Sequence, residues 1–151
     1  MKITVNGREE EALNLILQKT FAEQMIAGTK RLEVRNFSDF YVKQLLDTKQ
    51  FNKFIKSVED PDAEYDETKS VFKQKYKYLH FRNRQNTWFL DIECKQMFVD
   101  FVEPDAIRQL GEEFGFHDYD YLIPQLEAEG DGAEIDNIFC FEVGKVIATN
   151  L

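Results

Sequence analysis

The chain is expected to adopt an α+β fold, a mainly β core with helices in the connections. Three observations predict it. Apolar residues alternate at period two in Leu13-Asn14-Leu15-Ile16-Leu17, in Leu32-Glu33-Val34-Arg35 and from Trp88 to Cys94, which is the strand signature. Segments with helix start and stop signals fall between them, at Thr20–Gly28, after Ser38 and from Pro104. Finally, 43% hydrophobic residues, with 14 Phe among 151 positions, suffice for one core, so a single domain over 1–151 is expected.

Taken in order, Lys2–Val5 reads as a short strand running into an Asn6-Gly7 turn. Glu9-Glu10-Glu11 gives a solvated start to a strand over Ala12–Leu17, with a helix as the competing reading. Thr20-Phe21-Ala22-Glu23 fits a capping box, opening a helix that carries Phe21, Met25 and Ile26 inward and stops at Gly28. Lys30–Arg35 follows as a strand, with Leu32 and Val34 on one face and Arg31, Glu33 and Arg35 on the other. Ser38 caps a helix over Asp39–Lys56 with Phe40, Leu45, Phe51, Phe54 and Ile55 as its apolar positions. An acidic, mobile loop occupies 58–67 and contains Pro61.

Two strands, Lys73–Asn83 and Thr87–Cys94, are joined near Arg84-Gln85-Asn86. The second gathers Trp88, Leu90, Ile92 and Cys94 on one side and turns Asp91 and Glu93 to solvent. A phase change at Lys95-Gln96 predicts a bulge. Pro104 suits the first turn of a helix ending at Gly111 or Glu113, and Tyr119–Glu127 a short helix broken or kinked at Pro124. Ile138–Val143 and Lys145–Ala148 form a hairpin or a bent strand.

Composition narrows the function classes. The first residues lack the apolar run of a signal peptide and no stretch approaches a bilayer span, so a cytoplasmic location without membrane contact is expected. Cys94 and Cys140 are too few for a disulfide framework or a thiolate zinc site, and His80 and His117 lack metal spacing, so neither a metal nor another cofactor is expected. The net charge of −9 opposes nonspecific attraction to a polyanion. Yet Thr68–Leu90 holds six basic residues and no acid, whereas Gln109–Gly144 holds ten acids and no Lys or Arg.

Two clusters could carry chemistry. Lys30, Glu33 and Arg35 sit at a helix stop followed at once by a strand, where Glu33 can hold Arg35 while the cations reach a phosphate or carboxylate. The plainer reading is a solvated charge ladder. Tyr76, Tyr78, His80 and Arg82 share strand parity and continue to Arg84, a basic-aromatic strip suited to base stacking and phosphate contact. Its plainer reading is a packed strand with snorkelling cations.

Ile26-Ala27-Gly28-Thr29-Lys30-Arg31-Leu32-Glu33-Val34-Arg35 resembles the signature of the ASCH domain, a branch of the PUA-like superfamily: a helix ending in Gly, then Lys, then Glu-x-Arg on a strand. The Gly111–Phe116 stretch and the strand ending at Val146-Ile147 extend the resemblance over most of the chain. It implies a small mixed β-barrel, a cleft lined by Lys30, Glu33 and Arg35, and binding of RNA or a nucleotide-like ligand. It also implies an alternative, because small bacterial members resemble amidohydrolases that act on a modified cytidine through a Lys, a Thr and an acid of this motif. In that role Lys30 and Glu33 would be the catalytic pair, but Glu33 stands in the Thr slot, and Glu113 matches the distant acid only loosely. A third reading is a protein-interaction domain whose acidic face, Glu112 to Asp136, meets a basic partner.

Overall fold

A computed structural model describes residues 1–73, 76–132 and 135–151 of the chain. Its elements are β1 (Lys2–Val5), β2 (Arg8–Ile16), α1 (Lys19–Ala27), β3 (Leu32–Asn36), α2 (Asp39–Leu45), α3 (Thr48–Glu59), β4 (Tyr78–Arg82), β5 (Phe89–Phe101), α4 (Pro104–Phe114), α5 (Ile123–Glu129) and β6 (Asn137–Thr149). Short 3-10 turns occupy Asp120–Leu122 and Gly130–Gly132. The class is α+β, as the periodicities predict. The contacts divide into two compact units: Met1–Asn36 together with Tyr76–Leu151, and Phe37–Lys75.

The larger unit holds one six-stranded mixed sheet in the order β1-β2-β4-β5-β6-β3. Among the described residues only β2 and β4 run parallel. No backbone ladder joins the outer strands β1 and β3 among the described residues, so the sheet is not closed into a barrel by strand pairing. Asn6 and Gly7 both take positive φ, 51° and 78°, the geometry of a tight hairpin turn whose twist matches its strands. The β1–β2 ladder reaches back to Arg8, so Glu9–Glu11 lie within β2 rather than ahead of it.

Leu13, Leu79 and Ile92 are register partners across β2, β4 and β5, as are Leu15, Phe81 and Leu90. All six are almost completely buried, and Trp88 and Cys94 join them in the core as the alternation predicts. A second apolar layer forms where Leu110 and Phe114 of α4 meet Leu32 of β3 and Ile138 and Cys140 of β6. Among the described residues, no helix is long and apolar enough to cross a membrane.

Several local expectations are corrected. Gln18 rather than Thr20 is the N-cap of α1 and makes no side-chain cap bond, so the capping box does not form. Ala22 and Met25 are the buried face of α1, while Phe21 and Ile26 stay 36% and 40% exposed. The expected helix over Asp39–Lys56 is two helices. Ser38 caps α2 as anticipated, accepting from the Tyr41 amide, but Leu46 turns extended and forms a bridge with Phe72. Asp47 then restarts the helix by accepting from the Gln50 amide at 3.2 Å. Phe40 is 67% exposed, not a core position.

The acidic stretch 58–67 begins in the last residues of α3. It continues as turns in which the Asp60 and Asp66 carboxylates accept the amides of Asp62 and Thr68. β4 is shorter than expected and starts at Tyr78; Gln74 and Lys75 of the anticipated strand lie outside the described residues. β6 is one continuous strand of 13 residues, pairing with β5 on one side and β3 on the other. Its register against β5 shifts between Asp91 and Ile92, between Ile92 and Cys94, and between Cys94 and Gln96; the last is the predicted bulge.

Candidate functional site

The site begins with a helix stop. Gly28 takes φ 81°, and its amide together with those of Thr29 and Lys30 bonds back to the carbonyls of Gln24 and Met25. That wrapped turn fixes the backbone of Lys30 just before β3. On β3, Glu33 and Arg35 pair in register with Phe141 and Phe139 of β6. Directly opposed residues share a sheet face, so the two charged side chains stand beside two fully buried phenylalanines. The solvated charge ladder expected as the plainer reading is therefore not what forms. Glu33 is only 6% exposed.

A buried carboxylate must be compensated, and here it is met from two sides. Arg35 donates Nε and Nη2 to Glu33 Oε2 at 3.0 and 2.7 Å. Lys30 Nζ lies 3.4 Å from Oε1. Arg35 Nη2 also donates to the Ile16 carbonyl at 2.8 Å, anchoring the guanidinium on β2. The Lys30 ammonium sits over the ring of Phe21 at 5.1 Å and that of Phe116 at 5.9 Å, a double cation–π contact. Two cations thus surround one carboxylate.

This cluster floors a cleft of about 310 Å³ walled by Phe21, Phe116 and Tyr119, with Asp118 at its edge. The volume is at the small end of ligand pockets and suits one ring system rather than an extended chain. Tyr119 packs edge-on against Phe116 at 5.5 Å. Burial raises its phenol pKa, and the nearby Asp118 and Glu33 carboxylates push the same way, so the hydroxyl stays protonated at neutral pH. Among the described residues lining the cleft, none is Ser, Thr or Cys. Thr29 turns its hydroxyl to the Gln24 carbonyl at 3.2 Å, and the Glu113 carboxylate accepts from Gln109 Nε2 at 2.8 Å.

Lys30, Glu33 and Arg35 are brought together. The residues of the basic-aromatic strip do not line this cleft. Tyr76 precedes β4 and Arg84 lies in the turn after it, so the strand carries only Tyr78, His80 and Arg82. Tyr78 packs against Ile3, Val5 and Ala12. Arg82 donates to Asn14 Oδ1 at 3.3 Å and to the Asn83 carbonyl at 3.1 Å. His80 is buried, hydrogen-bonded through Nδ1 to Asp91 and stacked on Phe89 at 5.9 Å. Asp91 is accordingly 7% exposed and not the solvated residue that strand parity suggested.

Phe21, Phe116, Asp118 and Tyr119 were missed as cleft residues. Phe116 and Asp118 follow Gly115, whose φ of 64° ends α4, just as Gly28 ends α1 ahead of Lys30. Two helix stops converging on one strand is the signal a sequence reading could have used. The smaller unit has a wider depression of about 650 Å³, but its Lys53, Lys56, Lys69, Asp60, Glu64 and Asp66 are all exposed. It lacks the buried, mutually held charges that mark the Lys30 cleft. Among the described residues no group of three or more His, Cys, Asp or Glu is placed to hold a metal ion. Comparisons with protein-family models, with curated proteins and with solved structures find no match to this chain.

Proposed function

We propose that the chain is a binding module for a nucleotide-like ligand, free or as a unit of RNA, held in the Lys30–Glu33–Arg35 cleft. The observation that carries this reading is a mutually held pair of cations at the floor of an aromatic-walled cleft. Aromatic walls offer stacking to a planar base, and a preorganised Lys/Arg pair offers charge to a phosphate or to a base carbonyl. The likeness of Gly28, Lys30, Glu33 and Arg35 to the ASCH signature supports the same reading, and with it a PUA-like barrel as the parent architecture.

The hydrolase alternative draws less support. Glu33 has one oxygen taken twice by Arg35 and the other facing Lys30, an arrangement that suits an anchor better than a general base. The basic-aromatic strip enters as an accessory surface at most, through its exposed end at Arg84. The acidic stretch from Glu112 to Asp136, of which Ala133 and Glu134 lie outside the described residues, remains the basis of the protein-partner reading.

The test is thermal shift and calorimetry on wild type and Lys30→Gln, with the four ribonucleosides, their 5′-monophosphates and short single-stranded RNAs. A true ligand at a hundredfold excess over its Kd should raise Tm by about 5–10 °C in wild type. The rise should shrink sharply in Lys30→Gln. No shift with any probe overturns the reading and moves the weight to a basic protein partner.

A further inference from the structure

A second, smaller cavity of about 120 Å³ adjoins the cleft, sharing Phe21, Lys30, Phe116 and Asp118 with it and adding Gln24, Thr29 and Arg31. These four shared residues border both spaces. The larger space admits a ring; the smaller admits a compact polar group and nothing the size of a base.

Arg31 distinguishes the smaller space. Its Nη2 donates to the Glu113 carbonyl at 3.0 Å, which pins the guanidinium in place without neutralising it. Every other cation at the site is satisfied by a carboxylate, since Lys30 and Arg35 both hold Glu33. Among the described residues no carboxylate lies within ion-pair distance of Arg31, and the Glu113 carboxylate accepts from Gln109 instead. A Cβ at Gly115 would stand 3.7 Å from Arg31 Nη2, so residue 115 packs at the edge of this space. An exposed guanidinium that is held by one carbonyl, has no carboxylate partner and lines the same small cavity as Lys30 is an arrangement that can receive a phosphate. Asp118 lines both spaces and carries the opposing charge. It disfavours a free small anion and leaves room for a ligand whose neutral, hydroxyl-bearing part lies between ring and phosphate, since a carboxylate accepts from hydroxyls.

We infer that this cavity is a phosphate-monoester subsite served by Arg31, so that the bipartite site takes a ring, a hydroxyl-bearing linker and a terminal phosphate in that order. The inference rests on the nucleotide reading of the cleft and narrows it from nucleosides to their monophosphates. Phosphate on a free nucleotide and phosphate at the end of an RNA strand share this chemistry.

The experiment measures Kd by calorimetry for each ribonucleoside, its 5′-monophosphate, inorganic phosphate, and an RNA trimer with and without a 5′-phosphate. It uses the full chain as wild type, Arg31→Gln and Arg31→Lys, each checked for an unchanged melting curve. Wild type should prefer a monophosphate over its nucleoside by about tenfold to a hundredfold. Arg31→Gln should bring that ratio close to one, and Arg31→Lys should keep part of it. A preference for the phosphorylated trimer matching that for the mononucleotide would assign the subsite to RNA ends; a preference confined to the mononucleotide would assign it to free nucleotides. Equal binding of nucleoside and monophosphate by wild type, or an undiminished preference in Arg31→Gln, overturns the subsite while leaving the cleft reading standing. Binding of none of the probes overturns both.

Discussion

Arg35 on β3 donates to the main-chain carbonyl of Ile16 on β2 at 2.8 Å, although β4, β5 and β6 lie between those two strands in the sheet. The sheet therefore curls far enough for one side chain to bridge strands that no ladder connects. The same guanidinium satisfies Glu33, so one residue secures both the curvature and the buried carboxylate of the cleft.

Arg35→Ala removes the bridge and leaves Glu33 with the Lys30 ammonium alone. The expected cost is about 2–4 kcal/mol, because breaking one side of a buried ion pair strands the other charge. Glu33→Gln in the Arg35→Ala background should recover part of it. Urea denaturation of both singles and the double measures the coupling; additive losses would mean that Arg35 acts only through Ile16.

Asp100 on β5 responds to pH in the opposite sense to a salt-bridged acid. Burial raises its carboxyl pKa, Glu103 and Glu113 push the same way, and the Phe101 amide bonding to Oδ1 at 2.8 Å offsets only part of the rise. With the folded value above the unfolded one, the folded state binds the proton more tightly. The associated stability is full below the unfolded pKa, about 3.9, and is lost as pH rises through the folded value. Asp100→Asn, whose carbonyl can still accept from Phe101, should raise Tm by about 1–3 °C at pH 7 and by nothing near pH 3. A pH-independent difference would rule out ionisation as the cause.

Both thiols are inert by location. Burial pushes Cys94 up to about 12, and burial likewise pushes Cys140 well above an ordinary thiol, so neither forms appreciable thiolate at neutral pH. The native protein at pH 8 should leave both unlabelled by a thiol-exchange reagent over the minutes in which a model thiol reacts fully, and expose both once unfolded in urea. Rapid labelling of one equivalent in the native state would show a local opening of the β5–β6 region.

The strands that bury one clean face were legible. Leu13, Leu15, Leu79, Phe81, Leu90 and Ile92 alternate with more polar neighbours and end up in one layer, because a period of two has only one way to put them all inside. The bulge at Lys95-Gln96 was legible for the same reason, as a break in that period. The helices were less so. Ala22 is as buried as Met25 while Phe21 beside them is exposed, since the choice of buried face depended on what α1 packs against rather than on which residues are largest. The break at Leu46 had a local signal, Asp47 followed by Gln50 at capping spacing, but the apolar run through it looked continuous.

Of the candidate site, Lys30, Glu33 and Arg35 could be read because spacing along one strand is set by the backbone. Phe116 and Tyr119 arrive from more than eighty residues away: the Gly115 helix stop marks where they begin, but no local pattern says which strand they meet. The His80–Asp91 pair was hidden differently. Each residue was assigned a face on its own strand, and only the β4–β5 register sets them opposite each other.

The long final strand has a consequence for how the site comes into being. Asn36 pairs with Ile138, and among the described residues β3 has no other neighbour in the sheet, so the strand bearing Glu33 and Arg35 stays without a ladder until residues 137–142 have been made. In vectorial synthesis the hairpin of β1 and β2 and the β4–β5 hairpin can assemble early, while the Lys30–Glu33–Arg35 cleft waits for β6. A nascent chain stalled before β6 would already own much of its core and yet lack the ladder that holds Glu33 and Arg35 in place.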